Sequence, residues 1–280
     1  MKTIDTNIIT NEVKRLCIEA ATFIPQDVLN KIKDSCKNED GLSKEILEQI
    51  ILNDEIAANE FTPMCQDTGI TLVFVEIGNE VFINGDLEKA INDGVALGYT
   101  EGYLRKSVVK SPLNRINTKD NTPAIIHIKH TLGDKLKITI SPKGAGSENM
   151  SKVKMLTPAD GIEGIKKFVV DTVVEAGGRA CPPLVLGIGI GGNLEKAALI
   201  GKEALLRDIN DESLDEDARK LEHELYDLLN KTNVGPMGLG GKTTVLAVKV
   251  NLYPCHIASL PVSVNICCHA LRHKEVILWN

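Results

Sequence analysis

Three cysteines that lie far apart in the sequence constrain this chain of 280 residues more than any other feature. Cys65 lies in PMCQDTG, Cys181 in GGRACPP and Cys268 in VNICCHALRH, so only the folded chain could bring their thiols together. Three thiolates leave one corner of a cubane iron–sulfur cluster without a protein ligand, and such an iron can bind a substrate oxygen as a Lewis acid. The pattern therefore indicates chemistry on a small oxygen-bearing molecule rather than plain electron transfer.

The other cysteines have structural interpretations. The chain contains seven cysteines, and its N-terminus carries no apolar signal segment. These features disfavour a secreted disulfide scaffold and predict a reducing, cytoplasmic compartment. Cys17 and Cys36 fall in amphipathic helical patterns, where a thiol acts as a small hydrophobic group. Because the sequence has no C-x-x-C pair, a structural zinc site is also disfavoured.

Composition argues against two classes of partner. Aromatic residues make up 4% of the chain and the formal net charge is −6, so neither a base-stacking surface nor a basic stripe for nucleic acid is expected. No apolar run is long enough to cross a bilayer, so no membrane partner is expected. An anionic substrate would need positive groups placed locally around its site.

Hydrophobic periodicity predicts an α+β fold, with a helical N-terminal region followed by a mixed sheet with packed helices. The predicted helices are 8–23, 26–37, 43–61 with Ser43 as N-cap, 86–106, 158–176, 193–207 and 215–230; the predicted strands are 70–78, 184–190, 243–252 and 258–268, with a hairpin over 124–140 that turns at Gly133 and Asp134. No shift in composition marks a linker, so residues 1–280 are expected to form a single domain.

Glycine-rich segments leave alternatives open. GIGIGG, residues 187–192, imitates a dinucleotide-binding fingerprint, which keeps a nucleotide-binding oxidoreductase as one alternative, but it also suits tight packing of a strand on a helix. GPMGLGGKTT lacks the glycine that a P-loop needs at Pro236, so its glycines are expected to let the backbone approach a ligand or partner closely. KGAGSENM, residues 143–150, could form an anion-binding nest with Lys143 beside it, or a plain loop.

Two further polar residues lie near the cysteines in sequence. Asp67 follows Cys65 closely, and its carboxylate could accept a proton beside a metal centre or simply close an Asx-turn. His256 precedes the strand that leads to Cys268, and both a functional and a structural role remain open. Because neighbouring residues of a strand face opposite sides, Cys268 is predicted to share the apolar face and Cys267 the polar one, which favours Cys268 as the ligand.

Long ordered motifs resemble those of the iron–sulfur hydro-lyases, a family that includes the class I fumarases and the L(+)-tartrate dehydratases. The segments that carry the resemblance are PMCQDTG, SPKGAGSENMSKVKML, CPPLVLGIGIGGNLEKAALIGKEALLR, NVGPMGLGGKTT and PCHIASLPVSVNICCHALRHKEV. It extends from about residue 10 to 280 and is to the alpha subunit of the two-subunit forms. The resemblance implies a 4Fe–4S cluster held by Cys65, Cys181 and Cys268, with an open iron for the substrate. It also implies that the substrate side is lined by Gln66, Asp67, Arg105, Gly146 and His256.

The resemblance further implies an activity and a partner. The expected reaction is the reversible hydration of fumarate to (S)-malate, in which Arg105 pairs with a carboxylate and Asp67 and His256 handle protons. A separate beta subunit would complete the active site within a larger hetero-oligomer, and the open iron would make activity sensitive to oxygen. Two alternatives remain, which are the alpha subunit of L(+)-tartrate dehydratase and a non-catalytic subunit whose cluster senses oxygen or iron.

Overall fold

The computed structural model describes residues 2–279 and divides the chain into two compact units, each discontinuous in sequence. The first unit comprises Met1–Ile24, Asp54–Ala145 and Arg272–Asn280, and the second comprises Pro25–Asn53 and Gly146–Leu271. Each unit contains a four-stranded sheet and its own cluster of buried apolar side chains. Each candidate site residue therefore has a defined environment within its own unit.

Helices and strands alternate irregularly along the chain. In order they are β1 (Lys2–Asp5), α1 (Thr6–Thr22), α2 (Gln26–Asn38), α3 (Gly41–Glu60), β2 (Ile70–Gly78), β3 (Val81–Asn84), α4 (Leu87–Glu101), β4 (Ile125–Thr131), β5 (Leu136–Lys143), α5 (Ala145–Glu148), β6 (Lys152–Leu156), α6 (Gly161–Ala176), β7 (Leu184–Gly191), α7 (Leu194–Ala204), α8 (Glu216–Asn230), β8 (Val245–Tyr253), β9 (Leu260–Cys267) and β10 (Lys274–Leu278). Short 3₁₀ turns lie at Gly177–Ala180 and Pro236–Gly238. Within residues 2–279, no helix is both long and apolar enough to cross a bilayer.

The first unit is built around β2. Its sheet has the order β10-β5-β2-β4, in which β2 is antiparallel to β5 and parallel to β4. Helix α1 packs closely on α4 because Gly94 of α4 has no side chain; a Cβ there would lie 2.7 Å from the carbonyl oxygen of Thr10. The apolar faces of these helices and of the sheet form the core, which includes Val13, Leu16, Val73, Val75, Ile91, Val95, Leu136, Ile138 and Ile140.

The predicted hairpin over 124–140 is wrong. Strands β4 and β5 exist, but β2 lies between them and pairs with both. The connection from β4 to β5 passes over the end of β2, where the amide of Gly78 donates a hydrogen bond to the carbonyl of Lys135 at 2.9 Å. A Cβ at Gly78 would lie 2.3 Å from the carbonyl oxygen of Gly133, so only glycine allows this crossing.

The second unit is built around β7, in a sheet of order β6-β9-β7-β8. Leu186 and Ile188 of β7 belong to the core that α6 and α8 help to form. The alternate residues Gly187 and Gly189 face α7, where a Cβ on either would lie 2.0 Å from a carbonyl oxygen of that helix. The glycines of GIGIGG therefore serve tight packing of strand on helix, the simpler of the two interpretations of that motif.

The α+β class predicted from the sequence is confirmed. The boundaries differ in places: α4 ends at Glu101, so Arg105 lies beyond the helix rather than in it. Ser43 is not an N-cap, because α3 begins at Gly41 and the Ser43 hydroxyl donates instead to the Asp40 carbonyl and the Glu39 carboxylate. Periodicity missed four short strands, which are β1, β3, β6 and β10.

Candidate active site

The PMCQDTG loop of the first unit is anchored at both ends. At its start, the amide of Met64 donates to the carbonyl of Ala21 at 3.0 Å, and the Met64 side chain is buried. At its end, the fully buried hydroxyl of Tyr99 reaches two successive carbonyl oxygens, Thr68 at 2.7 Å and Gly69 at 3.1 Å. These bonds hold the backbone of the loop against the core of the unit.

The residues between these anchors remain accessible. Cys65 is partly buried and Gln66 is exposed. The Sγ atom of Cys65 lies 3.5 Å from the amide oxygen of Gln66, so the thiol and the amide share one patch of the loop. This patch presents a potential metal ligand beside a neutral hydrogen-bonding group.

Asp67 organises the loop through its carboxylate. Its Oδ1 accepts the amide of Gly69 at 3.1 Å, which closes the Asx-turn, and its Oδ2 accepts the amide of Ala145 at 2.8 Å. Gly144 makes room for this contact, since a Cβ there would lie 3.2 Å from Oδ2. Both carboxylate oxygens thus accept backbone N–H groups, and each retains a second lone pair for another donor.

Arg105 lies on a segment that is tied to the same loop. The hydroxyl of Thr68 donates to the carbonyl of Arg105 at 3.1 Å. The Arg105 side chain is exposed and forms no ion pair with any carboxylate of residues 2–279. The first unit therefore holds Cys65, Gln66, Asp67 and Arg105 on two connected segments, with a guanidinium that is available to an external anion.

The KGAGSENM segment is only partly the open nest that its composition suggested. Lys143 is the last residue of β5 and is 5% exposed. The next residues form the single turn α5, and the amide of Ala145 is already bonded to Asp67. Gly146 is exposed, and a Cβ there would lie 3.4 Å from the carbonyl oxygen of Arg179. The segment thus contributes to shaping the PMCQDTG loop.

Cys181, in the second unit, has an unusual backbone conformation. Its φ and ψ angles are 54° and 62°, in the left-handed region that costs a non-glycine residue free energy. Its amide donates to the carbonyl of Gly178 at 3.1 Å, and the residue is exposed. A strained conformation that exposes a thiol is typical of residues held in place for a function.

The glycine-rich segment GPMGLGG supports the Cys181 loop. The amide of Met237 donates to the carbonyl of Pro182 at 2.8 Å. Gly238 lies against Gly178, where a Cβ on Gly238 would lie 2.5 Å from the Gly178 Cα. The close approach that these glycines predicted is therefore to another loop of the chain, the one that carries Cys181.

Cys268 lies beside the Cys181 loop, just after the C-terminal end of strand β9 in the second sheet. The amide of His269 donates to the carbonyl of Cys181 at 3.3 Å, which brings the two cysteine loops together. Strand β9 ends at Cys267, so strand alternation does not determine which way Cys268 faces. Burial separates the two thiols instead: Cys267 is 6% exposed, whereas Cys268 is partly exposed.

His256 lies before the N-terminal end of the same strand, β9. It belongs to the exposed loop between β8 and β9. The amide of Gly192 donates a hydrogen bond to the carbonyl of Pro254 in this loop at 3.1 Å. The eight residues of β9 separate this loop from Cys268, a distance of roughly 25 Å in an extended strand. The Nδ1 atom of His256 accepts the amide of Ala258 at 3.1 Å. Within the second unit, the structure does not bring His256 and Cys268 together.

The donor set fits an iron–sulfur cluster chemically. Cys65, Cys181 and Cys268 are accessible, as is Cys255, whereas Cys17, Cys36 and Cys267 are buried. In the described part of the chain, no three His, Cys, Asp or Glu side chains are grouped to hold a single metal ion. A cubane cluster makes a different demand, because each thiolate binds its own iron atom.

Sequence reasoning missed one residue of the first unit that supports the site. Arg272 is 3% exposed, and its Nη2 donates to the backbone carbonyl of Asp67 at 2.6 Å. The available signal was a lone arginine shortly after Cys268 in the CCHALRH segment. Arginine is seldom buried without a partner, so the sequence alone does not mark this one as buried.

Comparisons with known proteins agree on one family. The family model described as fumarate hydratase (Fumerase) matches residues 10–277. The chain is 44% identical over 272 residues to a putative L(+)-tartrate dehydratase subunit alpha from Methanocaldococcus jannaschii, a match that covers 94% of this chain and 95% of that one. It is 30% identical over 271 residues to the L(+)-tartrate dehydratase subunit alpha of Escherichia coli strain UTI89, covering 95% of this chain and 89% of the relative.

Proposed function

We propose that this chain, which belongs to the fumarate hydratase (Fumerase) family, is the alpha subunit of a hydro-lyase that reversibly hydrates fumarate to (S)-malate. The observation that supports the proposal most is the pair of connected segments in the first unit. They carry Cys65, Gln66, Asp67 and Arg105, and the Arg105 guanidinium forms no ion pair within residues 2–279. Such a set combines a metal ligand with groups that recognise an anionic substrate.

The cofactor in this proposal is a 4Fe–4S cluster held by Cys65, Cys181 and Cys268. When bound, it would supply an iron without a protein ligand that acts as a Lewis acid toward the oxygen atoms of the substrate. The accessible thiols of these residues and the left-handed backbone of Cys181 support the assignment.

Substrate binding is assigned to three residues. Arg105 would pair with a substrate carboxylate through its planar fork, since no protein carboxylate among the described residues competes for it. Gln66, which is exposed, would donate its amide hydrogens to an oxygen of the substrate. The backbone N–H of the exposed Gly146 would donate a hydrogen bond to another carboxylate oxygen of the substrate.

Proton handling is assigned to Asp67 and His256. The remaining lone pairs of the Asp67 carboxylate can accept a proton while its backbone hydrogen bonds fix its orientation. Because Nδ1 of His256 accepts the amide of Ala258, the neutral imidazole carries its proton on Nε2, which is the nitrogen left to donate. Because β9 separates His256 from Cys268 within the second unit, His256 would in this proposal serve the cluster of another copy of the chain in the hetero-oligomer.

The whole chain, residues 1–280, acts in this proposal as one alpha-type catalytic domain together with a beta subunit. The names of the relatives, which read subunit alpha, support a second chain. A dicarboxylate also needs more positive charge than Arg105 alone provides, since two carboxylates must be desolvated together. The beta subunit would supply that charge and the base for the C–H step, within a larger hetero-oligomer.

A second candidate substrate is L(+)-tartrate. It is favoured by the names of the relatives, which include the one that is 44% identical over 94% of this chain. Tartrate and malate differ by one hydroxyl group, so the same carboxylate contacts serve both. The hydro-lyase chemistry is common to the two candidates, and only the preferred substrate differs.

Anaerobic reconstitution of the chain with iron and sulfide, alone and with its beta-type partner, tests the proposal. We expect the complex to hydrate fumarate and the chain alone to show little turnover, with activity decaying in air and returning after ferrous iron and a thiol are added. Preferred turnover of L(+)-tartrate would select the second candidate. A complex that holds a cluster but converts neither substrate would support a sensor, and a chain that binds no cluster would contradict the proposal.

A further inference from the structure

Arg272 is a buried cation, and two of its donor nitrogen atoms form no hydrogen bond with any described residue. Its side chain is 3% exposed, and its Nη2 donates to the carbonyl of Asp67 at 2.6 Å. Its Nε and Nη1 atoms are buried and have no hydrogen-bond partner in residues 2–279. It also forms no ion pair with a carboxylate in that range.

Within residues 2–279, no titratable group that faces this region forms an ion pair with the Arg272 guanidinium. Tyr99, which interacts electrostatically with Arg272, is buried, and burial raises the pKa of its hydroxyl. Cys17, which also acts on Tyr99, is wholly buried, and burial raises the pKa of its thiol to about 12. Both groups are therefore neutral near pH 7. Asp67 offers Arg272 its backbone carbonyl, while the Asp67 carboxylate accepts two backbone amides.

A guanidinium in this position is costly for the protein alone. Burial removes its hydration, and an unpaired buried charge destabilises the folded state strongly. A negatively charged ligand would compensate the charge of the buried guanidinium. An iron–sulfur cluster bound by three thiolates is such a ligand, because the thiolates make its net charge negative. Arg272 also follows Cys268 closely in sequence and bonds to the loop that carries Cys65.

We propose that Arg272 is a positioning residue for the iron–sulfur cluster: its Nη2 fixes the loop of Cys65 through Asp67, and its Nε and Nη1 would donate hydrogen bonds to sulfur atoms of the cluster when it is bound. This inference rests on the proposed function, because it requires the cluster. Hydrogen bonds to cluster sulfurs and nearby positive charge raise the reduction potential of the cluster, and groups of this kind retain the metal. Arg272 would thus control both the potential and the retention of iron.

The test uses the full complex with its partner, in the variants Arg272→Met and Arg272→Lys. Methionine has a similar length but no charge, and lysine keeps the charge without the planar fork. Arg219→Gln is the matched control, because it also removes one positive charge but lies on α8 of the second unit, where its guanidinium donates only to the Ser213 carbonyl at 3.3 Å. Three quantities are measured: the midpoint potential of the cluster, the rate of iron loss to a chelator, and the unfolding temperature of the protein freed of iron.

We expect Arg272→Met to lower the potential and to speed iron loss by about tenfold or more. Its iron-free form should unfold no earlier than the wild type, because an unpaired buried charge has been removed. Arg272→Lys should recover most of the potential but not the slow iron loss, and Arg219→Gln should match the wild type. If Arg272→Met fails to fold, Arg272→Lys alone tests the inference: a midpoint potential near that of the wild type together with faster iron loss would support it.

Two results would overturn the inference while leaving the proposed function intact. One is a wild-type potential and iron-loss rate in Arg272→Met. The other is early unfolding of the iron-free Arg272→Met protein with an unchanged potential, which would make Arg272 a purely structural residue. A wild-type complex that takes up no cluster would instead overturn the proposed function and this inference with it. Recovery of the Arg272→Met defects by added fumarate would reassign the open donors to a substrate carboxylate.

Discussion

The carboxylate of Asp67 accepts a hydrogen bond from the backbone amide of Ala145 at 2.8 Å, across 78 residues of sequence. The bond joins the PMCQDTG loop to the start of KGAGSENM, two motifs that sequence analysis could only consider separately. Since the other carboxylate oxygen closes the turn at Gly69, Asp67 determines the shape of the loop that carries Cys65. Any chemical role of Asp67 is therefore combined with a structural one.

Replacement of Asp67 by asparagine is expected to affect both roles. Asp67→Asn keeps the size of the side chain but replaces one carboxylate oxygen with an NH₂ group. That group cannot accept a hydrogen bond, so the bond from either the Gly69 amide or the Ala145 amide is lost. We expect the free energy of unfolding to fall by about 2 kcal/mol, since hydrogen bonds to charged groups are worth about that much. Hydro-lyase turnover should fall further, and urea unfolding with an activity assay on the complex measures the two effects.

Asp120→Asn is the matched control for this change. Asp120 also closes a turn in the first unit, where its Oδ1 accepts the amide and the hydroxyl of Thr122, but it has no assigned part in catalysis. It should lose comparable stability and keep its activity. Equal activity in Asp67→Asn and Asp120→Asn would show that Asp67 has no role beyond the loop.

The three candidate ligands can be separated from the other thiols. Cys65→Ser, Cys181→Ser and Cys268→Ser should each abolish the broad visible absorption after anaerobic reconstitution, because each loss leaves one iron atom undercoordinated. Cys255→Ser, which changes an exposed thiol, should retain the absorption. If Cys268→Ser reconstitutes normally and Cys267→Ser does not, the assignment of the third ligand is wrong.

Local patterns predicted most elements of the fold but not how the strands pair. The apolar, β-branched run in 70–78 and the amphipathic pattern in 215–230 are local properties, and they appear as the strand β2 and the helix α8. The hairpin failed because a short connection is equally compatible with direct pairing and with a strand inserted between. Insertion of β2 depends on the close approach at Gly78, which is a tertiary contact.

The candidate site shows the same division between local and distant information. Motifs identified Cys65 and Cys181, but they could not reveal that GPMGLGG supports the Cys181 loop, because that contact joins distant segments. Proximity in sequence does not become proximity in space for His256 within the second unit, since the intervening strand β9 separates it from Cys268. Arg272 escaped notice because its role depends on a hydrogen bond to a backbone carbonyl 205 residues away.

The position of His256 leads to a prediction that separates catalysis from cluster binding. His256→Ala should leave the iron and sulfide content unchanged, because β9 separates His256 from the cysteines of its unit. If the imidazole moves a proton in the reaction, turnover should fall by about 10²-fold or more. His223→Ala, which changes another exposed histidine, on α8, should alter neither quantity. Loss of the cluster in His256→Ala would contradict the placement of His256 away from the ligands.

A buried carboxylate in the second unit makes stability depend on pH. Glu39 is 6% exposed; its Oε1 accepts the amide of Thr243 at 2.6 Å, and its Oε2 accepts the amide of Lys242 at 3.1 Å and the hydroxyl of Ser43 at 2.8 Å. Burial opposes the charge, but these hydrogen bonds outweigh it and lower the pKa of Glu39. The bonds anchor the segment that follows GPMGLGG, and hence the support of the Cys181 loop.

A lowered pKa fixes the direction of the pH effect. The contribution of Glu39 to stability is complete above the pKa of an unfolded glutamate, about 4.3, and is lost as the pH falls through the lower value of the folded state. Glu39→Gln should therefore reduce the free energy of unfolding by about 2 kcal/mol at pH 7, and the deficit should shrink below about pH 4. Asp40→Asn, which changes the exposed neighbouring carboxylate that pairs with Lys242, should have a much smaller effect at pH 7. Urea unfolding of the three proteins between pH 3 and pH 7 measures the difference, and a deficit in Glu39→Gln that stays constant with pH would show that Glu39 acts through packing rather than through its charge.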